Sequence, residues 1–92
     1  MKIKIFGKKG CAKCETTKNK FAHFIEKSES NATLEFYDMD TAGGMAEGMY
    51  YDAHKIPTSI IEKDGNVVAR WMGEVPNSEE FKEYFEEAAA RV

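Results

Sequence analysis

Cys11 and Cys14 are the only cysteines in the chain, three positions apart in Gly10-Cys11-Ala12-Lys13-Cys14. That spacing suits thiol–disulfide exchange, a static disulfide, or half of a soft-metal site. Exchange needs a thiolate, and a thiolate needs positive surroundings. Lys8, Lys9 and Lys13 flank Cys11 in sequence and supply them. The static disulfide is the weaker alternative, because so short a loop gains little chain entropy on closure. Two thiolates favour Cu(I) or zinc but make only half of a structural zinc site. The imidazoles are His23 and His54. His23 lies nine positions beyond Cys14, on the order of 13 Å along a helix, and cannot join. His54 joins only if the fold brings two loops together, and a metal site shared by two chains stays open.

The elements around the pair decide what it can do. Lys2 to Phe6 alternates polar and apolar residues, with Ile3 and Ile5 on one face, which predicts a strand over 2–6. Gly7-Lys8-Lys9-Gly10 turns the chain. From Cys11 the period changes. Cys14, Thr17, Phe21, Phe24, Ile25 and Ser28 recur at helical spacing, which predicts an amphipathic helix over about 12–28. Cys11 then stands at the helix mouth, where orphan N–H groups and the helix dipole favour negative charge. Its pKa is expected to fall from about 8.5 toward neutrality. Cys14 points back along the apolar stripe and is expected to be the less exposed sulfur. That asymmetry suits Cys11 as nucleophile and Cys14 as resolving cysteine.

A second strand is expected over Thr33–Asp38, and Asp40 or Thr41 can cap a helix over about 43–54. Gly43, Gly44 and Gly48 each weaken that helix by about 1 kcal/mol relative to alanine, unless they permit close packing. Ile56-Pro57-Thr58-Ser59-Ile60-Ile61-Glu62 reads as a strand with a proline at its head. Lys63-Asp64-Gly65-Asn66 is a hairpin turn that returns Val67–Trp71 antiparallel. Asn77 or Ser78 caps a last helix with Phe81, Tyr84, Phe85 and Ala88 as its buried stripe, an outer acidic face in solvent, and Lys82 able to pair with Glu86. Trp71 is expected to pack against a helix, the alternative being an exposed patch that docks a partner. Met39, Met45, Met49 and Met72 are expected to fill core gaps. Packing is also the simplest role for Tyr50 and Tyr51.

The order is β-α-β-α-β-β-α: an α/β domain over 1–92, with a four-stranded mixed sheet and helices on both faces. Ninety-two residues leave no room for a second domain. Thirteen basic against sixteen acidic residues, net −3, offer no field for a nucleic acid. No apolar run approaches the length of a membrane span, and Met1–Phe6 is too short for the core of a signal peptide. A cytoplasmic monomer is expected, with no membrane or nucleic-acid partner. In such a reducing compartment paired cysteines are more often catalytic or metal-binding than structural.

Cys11-Ala12-Lys13-Cys14 after a strand, with Ile56-Pro57-Thr58 before another, resembles the thioredoxin/glutaredoxin superfamily over essentially the whole chain. The resemblance implies a thioredoxin-like fold and a disulfide reductase that needs no cofactor of its own. It also implies a cis peptide bond at Pro57, and Ile56 main-chain groups that pair with a substrate. Thr58 and Gly73 would line the same groove. Lys13 would add positive potential that steers acidic partners. Disulfide-containing proteins are the implied substrates, and a thioredoxin-reductase-like flavoprotein is the implied reductant. Glutathione is left open, because Gly73-Glu74-Val75-Pro76-Asn77-Ser78 lacks the glutaredoxin pattern. The rival roles are a Cu(I) or zinc module built on Cys11 and Cys14, and an interaction domain without turnover.

Overall fold

The computed structural model describes the backbone over residues 1–90 and side chains through Phe85. The elements run β1 (Lys2–Gly7), α1 (Ala12–Lys27), β2 (Thr33–Asp38), α2 (Ala42–Tyr50), β3 (Thr58–Lys63), β4 (Asn66–Met72) and α3 (Ser78–Ala90). The strands form one mixed sheet in the order β2-β1-β3-β4. β1 and β2 are parallel, Ile5 opposite Phe36, as the crossover through α1 requires. β3 runs antiparallel to both β1 and β4, with Ile5 opposite Ser59 and Ser59 opposite Trp71. The β3–β4 turn places Asp64 at φ +53° and Gly65 at φ +81°, the two left-handed residues of a tight hairpin.

Both faces of the sheet are covered, and β1 serves both. Ile3 and Ile5 point to one side, where they join Phe21, Ile61, Trp71, Phe81 and Phe85 under α1 and α3. Phe6 points to the other, where it joins Ile60 and Ala53 with Tyr37, Met39 and Tyr51 packed against them. Trp71 packs as expected and donates through Nε1 to Glu80 Oε2 at 2.5 Å. Glu80, on the acidic face of α3, therefore also holds a core residue. Asn77 caps α3 by accepting from the Glu79 N–H at 2.9 Å. Ala88 and the Lys82–Glu86 pairing lie outside the described side chains.

α2 differs from its sequence reading. It starts at Ala42, with Thr41 Oγ1 accepting from the Gly44 N–H at 2.9 Å. It ends at Tyr50 rather than near 54, because the chain turns left-handed at Asp52 (φ +57°) and the Ala53 N–H reaches back to the Gly48 carbonyl at 2.7 Å. Its glycines are packing devices. Gly44 and Gly48 are buried, and a Cβ on either would meet the Asp38 carbonyl or the Met39 thioether. β3 begins at Thr58, with Ile56 and Pro57 in the loop before it. The methionines correct another expectation: Met45, Met49 and Met72 are exposed, and only Met39 among the four packs against the core. The unbranched chains of Met45 and Met49 lie on the outer side of a helix that seats itself through its glycines.

Candidate functional site

The two cysteines are joined as a Cys11–Cys14 disulfide with Cα atoms 5.2 Å apart. Gly10, at φ +78°, makes the turn that delivers Cys11 to the helix mouth. Cys11 is the N-cap of α1, in extended conformation, and its Sγ accepts from the Cys14 N–H at 3.2 Å. A sulfur thus takes the place usually held by a capping oxygen, facing the orphan donors that begin the helix. Negative charge developing on that sulfur is stabilised by those donors and by the helix dipole. Cys11 is partly exposed, whereas Cys14 is 1% exposed.

Beneath the disulfide the sheet ends in a row of residues that leave room. A Cβ on Gly7 would come within 2.7 Å of Cys14 Sγ and 2.9 Å of Cys14 Cβ. Continuing the β1–β3 register sets Pro57 beside Gly7. Gly73 lies on the far side of Pro57, its N–H donating to the Pro57 carbonyl at 2.8 Å. The Ile56–Pro57 bond is cis, and Gly73 is left-handed at φ +73°. Thr58 is buried, its Oγ1 donating to the Lys55 carbonyl at 2.5 Å, which closes the loop leading into β3. The Cys11–Cys14 helix mouth and the Ile56-Pro57-Thr58/Gly73 loop therefore meet at one end of the sheet. Lys13 is exposed between the cysteines, and Lys8 lies 3.4 Å from Asp40.

The family model described as thioredoxin domain matches residues 1–86. The chain belongs to the thioredoxin domain family. Its fold is shared with solved thioredoxins at low identity. Mitochondrial thioredoxin 3 from Saccharomyces cerevisiae in its oxidised form superposes with a TM-score of 0.73 at 14% identity, covering 94% of this chain and 76% of that one. Thioredoxin 1 from Thermosipho africanus gives 0.75 at 20% identity over 95% and 97% of the two chains. Thioredoxin O2 from Arabidopsis thaliana, also oxidised, gives 0.76 at 19% identity over 94% and 72%. No curated protein sequence matches the chain. Family membership and the Cys11–Cys14 disulfide make this thioredoxin-fold protein a thiol–disulfide oxidoreductase acting on disulfide-bearing substrates.

The metal alternative finds no support in side-chain placement. Among the described residues no group of three or more His, Cys, Asp or Glu could hold a metal ion. His54 stands exposed in its loop, 3.8 Å from Asp52. Sequence reasoning missed two features. One is Gly7, read only as part of a turn, whose missing side chain is what admits Cys14. The other is Lys4, 6% exposed on the α2 face of the sheet. Its Nζ donates to Glu35 Oε1 at 2.8 Å and Tyr37 Oη at 3.0 Å, and lies 5.1 and 5.2 Å from the ring centroids of Tyr37 and Tyr51. Burial works against the Lys4 charge, but the Glu35 and Tyr37 hydrogen bonds outweigh it and raise the pKa. The same Lys4 hydrogen bond, with that from Tyr37, pulls Glu35 down. Burial and the hydrogen bond to Glu62 push Tyr51 up to about 12. A lysine in an alternating strand reads as solvated. The hint of burial was that neighbouring β2 carries Glu35 and Tyr37 at matching parity.

Proposed function

We propose that Cys11 is the attacking cysteine and Cys14 the resolving one in the reduction of protein disulfides. The observation that carries this is the asymmetry of the pair: Cys11 Sγ caps the helix at a partly exposed position, and Cys14 is buried over Gly7. The Cys11 thiolate attacks a substrate disulfide, forming a mixed disulfide and releasing one substrate thiolate, which takes up a proton. The Cys14 thiol then loses its proton to solvent and attacks Cys11 Sγ. The second substrate thiol departs, and the Cys11–Cys14 bond closes. Ile56, ahead of cis Pro57, would offer main-chain groups to a substrate segment laid beside the disulfide, with Thr58 and Gly73 holding that loop in shape. Lys13 would favour acidic segments. Electrons would return from an external dithiol, for which a flavoprotein reductase is the fitting class of donor.

Mixed-disulfide trapping tests the assignment. Cys11→Ser is expected to abolish reduction of a model protein disulfide such as that of insulin. Cys14→Ser is expected to accumulate a covalent adduct through Cys11 that dithiothreitol releases. An adduct on Cys14 in the Cys11→Ser variant, with none on Cys11 in the other, would reverse the roles.

A further inference from the structure

Among the described residues the buried polar or charged side chains are Lys4, Thr17, Thr58 and Ser59. Lys4 is bonded to Glu35 and Tyr37, Thr17 Oγ1 donates to the Lys13 carbonyl at 2.8 Å, and Thr58 Oγ1 donates to the Lys55 carbonyl. Ser59 Oγ is the buried side-chain atom among them with no hydrogen-bond partner, in a residue 0% exposed. Folding around an unpartnered hydroxyl is unfavourable, and such a group calls for an explanation.

Its position supplies one. Ser59 pairs with Ile5 on one side and Trp71 on the other, and both belong to the core cluster under α1 and α3. Ser59 therefore faces α1. Gly7 is two residues beyond Ile5 on the same face, and Cys14 Sγ sits directly over Gly7. Ser59 and Gly7 are diagonal neighbours on adjacent strands, about 7–8 Å apart at the backbone. Cys14 and Thr17, one helical turn apart at 1% and 0% exposure, belong to the buried face of α1, and Cys14 is the one seated on Gly7. The Ser59 hydroxyl thus shares a sheet face with the glycine that the buried sulfur covers, one diagonal step away on the next strand.

We propose that the Ser59 hydroxyl is a positioning group for the redox couple, a hydrogen-bond partner for the Cys14 sulfur once reduction frees it. Ser59 is unpartnered while Cys14 is tied to Cys11. A disulfide sulfur has no S–H and accepts weakly. Reduction by an external dithiol delivers two electrons and two protons to the sulfurs, and the donor becomes a disulfide. Cys14, released from Cys11 and free to change rotamer, then carries either a thiol, which donates to Ser59 Oγ, or a thiolate, which accepts from the Ser59 O–H. The reduced form gains a bond the oxidised form lacks, so Ser59 makes the protein's disulfide easier to reduce. This rests on the dithiol-exchange reading above.

The test is the equilibrium of the whole chain with reduced and oxidised dithiothreitol, read by thiol trapping and mass spectrometry. Ser59→Ala is expected to shift the equilibrium about tenfold toward the Cys11–Cys14 disulfide, equivalent to about 30 mV for a two-electron couple. Ser59→Thr, which keeps the hydroxyl, is expected to stay within twofold of the parent. Unfolding midpoints of both redox states supply the second measurement: in Ser59→Ala the oxidised form should be at least as stable as the parent and the reduced form less stable. A Ser59→Ala equilibrium within twofold of the parent, or equal stability changes in both states, overturns the proposal and leaves dithiol exchange intact. A parent chain whose disulfide does not exchange with dithiothreitol would instead sink the exchange reading and the Ser59 proposal with it.

Discussion

Gly7→Ala isolates the contact between the sheet and the buried sulfur. An added methyl would stand 2.7 Å from Cys14 Sγ, 2.9 Å from Cys14 Cβ and 3.3 Å from Phe36 Cε2. Favourable carbon contacts lie at about 3.5–4.0 Å, so the sulfur must give by roughly 1 Å. Overpacking of this kind costs about 1–3 kcal/mol. Replacing a strand glycine by alanine returns about 0.5–1 kcal/mol of backbone entropy. The oxidised protein, whose Cys14 Sγ is tied to Cys11, should therefore lose about 1–2 kcal/mol of a total of about 5–15. In the reduced protein Cys14 is free to change rotamer, and the loss should shrink toward zero. A difference of about 1 kcal/mol between the states makes the disulfide harder to form, by about 20 mV. Urea unfolding of both redox states, with the dithiothreitol equilibrium measured in parallel, reads both quantities. The reasoning is refuted if the reduced form loses as much stability as the oxidised form, or if the potential moves the other way.

The α2 glycines should separate cleanly by what surrounds them: Gly43→Ala, with open space around it, should gain about 0.4–1 kcal/mol. Gly44→Ala, directed at the Asp38 backbone carbonyl, should lose more than about 2 kcal/mol, and Gly48→Ala, directed at the flexible Met39 side chain, should fall between, all read by thermal unfolding. For the Lys4–Glu35 pair the pH window follows from the two shifts. Glu35 is depressed, so its contribution is full above about pH 4.3 and lost as pH falls through its folded value. Lys4 is raised, so its contribution is full below about pH 10.4 and lost as pH rises through its folded value. Glu35→Gln should lower the plateau between by about 2 kcal/mol, less than for a wholly buried pair because the Glu35 side chain is 37% exposed, and should flatten the acid limb. Trp71→Phe, which removes the Nε1–Glu80 hydrogen bond, should cost about 1–3 kcal/mol in denaturant unfolding while leaving the dithiothreitol equilibrium unmoved.

The periodic stretches were legible, and so was the pair they present. The change of period at Cys11 located the helix mouth, and Asp64-Gly65 located the hairpin. Ile56-Pro57-Thr58 was tied to the cysteine pair only through the family resemblance, since a proline at a strand's head by itself marks no more than where a strand begins. What escaped depends on the third dimension. A helix-interior glycine weakens a helix by propensity alone, and only the neighbouring Asp38 carbonyl and Met39 show why Gly44 and Gly48 sit there. Exposed Met45 and Met49 have the spacing of a core stripe, but the helix seats on its glycines instead. Gly7 and Ser59 carry no signal of their own, since what matters is the sulfur above one and the missing partner of the other.

β1 shows how the buried charge and the redox site are coupled by geometry. Its odd residues, Ile3, Ile5 and Gly7, face α1 and end under Cys14, while Lys4 and Phe6 face α2. Side chains alternate strictly along a strand, so a one-residue slip against β2 would turn Lys4 into the apolar cluster under α1 and put a Cβ where Gly7 admits the sulfur. Lys4 opposes that slip. In the observed register it meets Glu35 directly across the pair and reaches Tyr37 two residues on, with the Tyr51 ring alongside. Slipped, the ammonium would be buried without a carboxylate, which costs several kcal/mol. The net stabilisation from the pair is small, because desolvation consumes most of the attraction. Its larger effect is to exclude the wrong alignment, and only the correct one brings a residue without a side chain beneath Cys14.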